Sequence, residues 1–185
     1  MNLTGKLLIA MPGIGDPRFE HSVLFLCSHS DEGAMGLILN KPAPDVQLDN
    51  LLEQLEIPVE DEESAALPIR YGGPVEPQRG FVLHSEDYAS SVNSLSVPPG
   101  YGMTATLDVL EDIAQGEGPD KLLIMLGYAG WGPGQLEEEI VANGWLTTDA
   151  SDALIFETPD AEKWGEALAT LGVDPITLSA TSGSA

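Results

Sequence analysis

Ten residues, "PGIGDPRFEH" (12–21), separate the first two apolar runs, "KLLIAM" (6–11) and "SVLFLC" (22–27), and this spacing restricts the fold more than any other feature. A parallel crossover needs a dozen or more residues and usually a helix, so antiparallel or bent pairing is expected here. A third run, "AMGLILN" (34–40), has the same dense apolar character and turn-forming flanks, and all three read as buried strands.

Helical spacing then appears in "QLDNLLEQLEI" (47–57), with Leu48, Leu51, Leu52 and Leu55 as the stripe and Pro58 as its end. The segment 58–68, with acidic residues at all four positions from Glu60 to Glu63, reads as a mobile surface loop. Strands are expected at 69–73, 80–85, 94–97 and 121–127, the last buried on both faces. A helix over 106–116 has Thr106 as N-cap and Gly116 as stop. Residues 152–158 read as a strand, followed by a helix over 158–172 with Thr158 as cap, Pro159 in its first turn and Gly172 as stop. Hairpin-like strands followed by alternating helices and strands predict an α+β fold with a mixed sheet, in a single domain spanning 1–185.

The charge limits partners. Seven Lys plus Arg against thirty Asp plus Glu give a net charge of −23. A specific DNA reader neutralises on the order of 6–10 phosphates, whereas Lys6, Arg18, Lys41, Arg70, Arg79, Lys121 and Lys163 are scattered with no two adjacent. Direct nucleic-acid binding and attachment to an anionic membrane are both disfavoured. The acidity itself reads as a solvating surface. The single cysteine, Cys27, rules out an internal disulfide, and the five-residue apolar run 7–11 is too short for a signal peptide core, so a cytoplasmic protein is expected.

"GYAGWGPGQLEEEI" (127–140) has the strand, glycine turn and helix order of an anion cradle. Its loop lacks the Lys and Ser/Thr of a Walker motif, and its glycines at 127, 130, 132 and 134 miss the dinucleotide pattern. Glu137, Glu138 and Glu139 would repel phosphate. The stretch is expected to be a structural elbow, with Pro133 at the helix start and Leu136, Ile140 and Val141 facing inward.

Candidate catalytic groups are few. Cys27 and His29 share a strand face, the minimum for a thiol and base pair, and His84 ends another strand. The ordinary reading of a lone cysteine in an apolar run is a small buried hydrophobe. His21, His29 and His84 show no metal-ligand spacing, so no metal is expected, and no cofactor motif appears. In "RYGGPVEPQRGFVLHSED" (70–87), Gly72, Gly73 and Pro74 make a turn, while Arg70 and Arg79 are candidate carboxylate binders or internal ion-pair partners.

The strings "GKLLIAMP", "DPRFEHSV", "GAMGLILNKP", "YGGPVEPQRGFVLH" and "LGYAGWGPGQLEEEI" followed by "NGWL" resemble the YqgE/AlgH family of bacterial proteins from Gly5 to about Leu178. The resemblance implies a curled or barrel-like, mostly antiparallel mixed sheet surrounded by helices. Members are commonly labelled transcriptional regulators after a link to alginate control, and the resemblance carries over no catalytic residue. Many relatives end in Gly-His-Ala, where this chain reads "SGSA". The expected function is a non-enzymatic regulatory or accessory protein that binds a protein partner or small ligand through Asn40, Lys41, Arg79, His84, Gly130 and Trp131. The alternative is an enzyme or small-molecule binder with a pocket at Cys27, His29 and His84.

Overall fold

The computed structural model describes residues 2–174, so the "SGSA" end lies outside the described residues. In chain order the elements are β1 (Lys6–Ala10), β2 (Val23–Ser30), β3 (Gly33–Ile38), β4 (Pro42–Gln47), α1 (Leu48–Gln54), α2 (Glu62–Ala65), β5 (Pro68–Tyr71), β6 (Val75–Ser85), β7 (Leu95–Val97), β8 (Tyr101–Thr104), α3 (Leu107–Ala114), β9 (Leu122–Trp131), α4 (Gln135–Val141), β10 (Trp145–Asp149) and α5 (Asp160–Ala169). The fold is α+β. Among the described residues, 2–41 and 129–174 form one compact unit, and Pro42–Tyr128 form a second.

In the first unit the strand order is β10-β1-β2-β3 followed by the end of β9, every pairing antiparallel. The short connector between β1 and β2 folds into two 3-10 turns, Pro12–Ile14 and Pro17–Phe19, and returns the chain antiparallel, as its length requires. Val23 to Cys27 are consecutively buried, so both faces of this part of β2 are covered. At Cys27 the register with β3 shifts, Leu26 opposing Gly36 and Ser28 opposing Met35, so the cysteine is the extra residue of a bulge.

In the second unit β9 pairs antiparallel with β6 and parallel with β5, which makes the sheet mixed. β8 and β7 continue antiparallel beyond β6, and β4 joins β5. The core brings Leu48 and Leu52 of α1, Val109 and Ile113 of α3, Ile69, Val82 and Ile124 together.

Five expectations need correction. Residues 153–157 form a single π-helical turn rather than a strand. Local bonds decide it: Ser151 Oγ accepts from the Leu154 N–H, and the backbone and hydroxyl of Thr158 both donate to the Ala153 carbonyl. Thr158 is thereby committed to that turn, and Pro159, not Thr158, occupies the N-cap of α5. The acidic segment contains α2, capped by Asp61, whose carboxylate accepts from the Glu63 N–H and the Ser64 hydroxyl. Finally, "GYAGW" belongs to β9, so the elbow is only Gly132–Gly134; Gly134 caps α4 at φ 74°, and Val141 points outward at 83% exposure.

Gly127 explains part of the glycine signature. It adopts φ +80°, and a Cβ there would lie 2.3 Å from the Gly73 carbonyl oxygen; a Cβ on Gly72 would lie 2.3 Å from the Gly127 oxygen. The two glycine strings are thus the halves of one backbone crossing that admits no side chain.

Candidate functional site

The first unit holds Cys27, His29, Asn40, Lys41, Gly130 and Trp131, and the second holds Arg79 and His84. Cys27 is wholly buried, and burial pushes its thiol up to about 12, so it carries no thiolate at neutral pH. His29 Nδ1 accepts from the Leu3 N–H at 2.9 Å, and its buried Nε2 faces Glu137 Oε1 at 3.4 Å. The Glu137 carboxyl is lowered first by its own backbone N–H, and His29 acts in the same direction.

His84 is fully buried and engaged at both nitrogens. Nδ1 donates to the Ser85 carbonyl at 2.8 Å, which leaves Nε2 to accept from the Thr104 hydroxyl at 2.9 Å. Thr104 is bonded in turn to Ser94. Desolvation lowers the imidazole's pKa, so the neutral form that this chain of bonds requires is the one favoured. The imidazole therefore holds β6 and β8 to the Ser94 loop.

Trp131 is buried, and its indole N–H donates to Glu139 Oε1 at 3.0 Å; Trp145 donates to the same oxygen at 2.9 Å. Gln135 accepts from the Gly132 N–H and donates to Glu139 Oε2. The elbow's amide is answered from within α4, and acidic side chains occupy its first turn. That arrangement leaves a phosphate poorly matched to the elbow.

Asn40 and Lys41 act on the β1–β2 connector. The Asn40 side chain accepts from the Val23 N–H and donates to the His21 carbonyl, while Lys41 donates to the Glu20 carbonyl. They hold His21 at φ 57°, a conformation costly for a residue with a Cβ. The imidazole of His21 lies 4.3 Å from the Trp164 ring. A cavity of about 400 Å³ lies against this connector, lined from Ala10 to His21 by the connector itself and by its carboxylates Asp16 and Glu20.

The second unit has a cavity of a different kind. About 260 Å³ is enclosed by Leu51 of α1 and Leu55 just past its end, Gly80 and Val82 of β6, Leu107 and Leu110 of α3, and Ile124 and Leu126 of β9. Four elements build it, which fixes its walls better than one connector could. A Cβ on Gly80 would meet nothing within 4 Å, so the absent side chain leaves part of the space open. At the mouth, Leu55 and Leu107 remain 39% and 50% exposed.

The wall at α3 is fastened from outside. Asp108 accepts from Thr106 Oγ1, from the hydroxyls of Ser90 and Ser91 and from the Ser91 N–H. Burial opposes ionisation, yet these hydrogen bonds bring the Asp108 carboxyl down to about 2. Arg79 lies elsewhere on β6, 3.6 Å from Glu76 and stacked over the Phe81 ring at 5.2 Å. Sequence reasoning missed this cavity because helical spacing places Leu48, Leu51, Leu52 and Leu55 in one stripe without saying which of them the core takes up. Leu48 and Leu52 are fully buried in the core, and the incomplete burial of Leu51 and Leu55 is the available signal.

A family model described as AlgH-like matches residues 7–176. A UPF0301 protein of Ruegeria pomeroyi is 62% identical across the full length of both chains. A UPF0301 protein of Paracoccus denitrificans is 51% identical over all of this chain and 97% of its own. The solution structure of the AlgH protein from Pseudomonas aeruginosa superposes with a TM-score of 0.81 at 41% identity, covering 97% of this chain and 94% of that one. A crystal structure from Corynebacterium diphtheriae, at 21% identity and TM-score 0.71 over 95% of this chain and 89% of its own, shares the fold.

Proposed function

Since the chain belongs to the AlgH-like family, we propose that it is a non-enzymatic binding protein, with a regulatory or accessory role exerted through an apolar group received by the second unit. The observation that carries this reading is the cavity of about 260 Å³ among α1, α3, β6 and β9, lined by leucines and left open at Gly80. An apolar pocket well above the ~150 Å³ of a void that takes benzene is stabilised when a fitting side chain or small hydrophobic ligand replaces water in it. The engagement of the candidate catalytic groups supports the same reading: Cys27 has an inaccessible thiol, and both nitrogens of His84 serve the structure. The acidic surface argues for a partner other than nucleic acid. The test is fluorescence titration with the neutral apolar dye N-phenyl-1-naphthylamine. The wild type is expected to bind it saturably and Gly80→Leu, whose side chain fills the open space, to bind it at least about tenfold more weakly. Equal binding by both proteins would refute the cavity as the site.

A further inference from the structure

The surroundings of the cavity indicate what approaches it. The second unit carries sixteen carboxylates against Arg70, Arg79 and Lys121. Between residues 42 and 69, which include α1 and α2, and between 86 and 120, which include α3, no Lys or Arg occurs. Exposed Glu56 directly follows the rim residue Leu55, and exposed Glu111 lies one helical turn on from the rim residue Leu107. A second copy of this chain would add another charge of −23 and is opposed by repulsion, as are other polyanions.

Resting on the cavity reading above, we propose that this face docks a basic amphipathic segment of a partner protein, which seats one large apolar side chain in the cavity and sets Lys or Arg residues against Glu56 and Glu111. The exposed rim leucines, Leu55 and Leu107, extend the apolar surface past the cavity, and a peptide carrying apolar neighbours beside its anchor covers them as a small ligand would not. This is the arrangement in which an amphipathic helix lays its apolar face into a groove. The carboxylates contribute orientation, rate of encounter and choice of partner, while the anchor contributes the apolar burial.

The probe is a dye-labelled synthetic amphipathic peptide of Leu and Lys, compared with the same peptide carrying Glu in place of Lys, followed by fluorescence anisotropy. The Leu–Lys peptide is expected to bind the wild type, to lose affinity as salt is raised, and to bind Gly80→Leu about tenfold more weakly. The double variant Glu56→Gln, Glu111→Gln should weaken it several-fold while leaving the neutral dye's affinity unchanged. Undiminished Leu–Lys binding to Gly80→Leu would mean diffuse attraction to an acidic protein and would overturn the proposal, as would equal binding of the Leu–Glu peptide. Dye binding without peptide binding would refute the basic partner and leave the cavity reading standing; failure of both probes would remove both.

Discussion

Replacing Asp108 by Asn keeps the shape of the side chain and removes the charge that four hydrogen bonds converge on. Its carboxyl falls from an ordinary 3.8 to about 2 on folding, which at about 1.4 kcal/mol per unit corresponds to about 2 kcal/mol. Asp108 is only partly buried, so screening reduces this to about 1–2 kcal/mol. For a chain of 185 residues, that is a fall in melting temperature of about 2–8 °C. The sign with pH follows from the direction of the shift. A depressed carboxyl stabilises the fold above its unfolded value, and this contribution disappears as pH falls through the folded value of about 2. The difference between wild type and Asp108→Asn, read as urea midpoints by circular dichroism, should be full at ~pH 6 and several-fold smaller at ~pH 2. Equal midpoints at ~pH 6, or a deficit that persists undiminished in acid, would refute the assignment. Because Thr106 and Leu107 line the cavity, the variant should also loosen dye binding.

Other substitutions probe the remaining structural assignments. Cys27 should resist Ellman's reagent in the native protein and react fully in denaturant; rapid native labelling would contradict its burial. Glu139→Ala leaves the indole N–H groups of Trp131 and Trp145 without their acceptor, which should cost about 2–4 kcal/mol in urea unfolding and shift the tryptophan emission to the red. Gly127→Ala should cost more than about 2 kcal/mol, since the methyl group meets the Gly73 carbonyl at a left-handed φ; a stable variant would show that the crossing of the two glycine strings is looser than described.

The elements that could be read from the sequence are those whose pattern is local. The ten-residue connector dictated antiparallel β1 and β2, and the leucine spacing and stop signals located α1 and α3. Residues 153–157 were misread because an apolar run does not say whether its backbone pairs with a neighbour or closes on itself, and here Ser151 and Thr158 close it. β4 escaped notice because Pro42 and Pro44 argue against a strand; it is tolerated as an edge strand paired only with β5. The division into two units leaves no linker signature because one boundary falls within β9, between Tyr128 and Ala129. The candidate residues Asn40, Lys41, His84 and Trp131 were visible as unusual polar or aromatic groups near strand ends. Their bonds follow no local pattern: Asn40 reaches His21, Lys41 reaches Glu20 and His84 reaches Thr104 from other elements, while Trp131 reaches across the elbow to Glu139. The cavity was the least legible feature, since it consists of space that Gly80 leaves unfilled between elements far apart in the chain.

Methyl-resolved NMR during titration with N-phenyl-1-naphthylamine tests the central claim most directly. The account predicts saturable shifts concentrated in the methyl groups of Leu51, Leu55, Leu107, Leu110 and Ile124, and their loss in Gly80→Leu. Shifts elsewhere, or the same shifts in that variant, would contradict it.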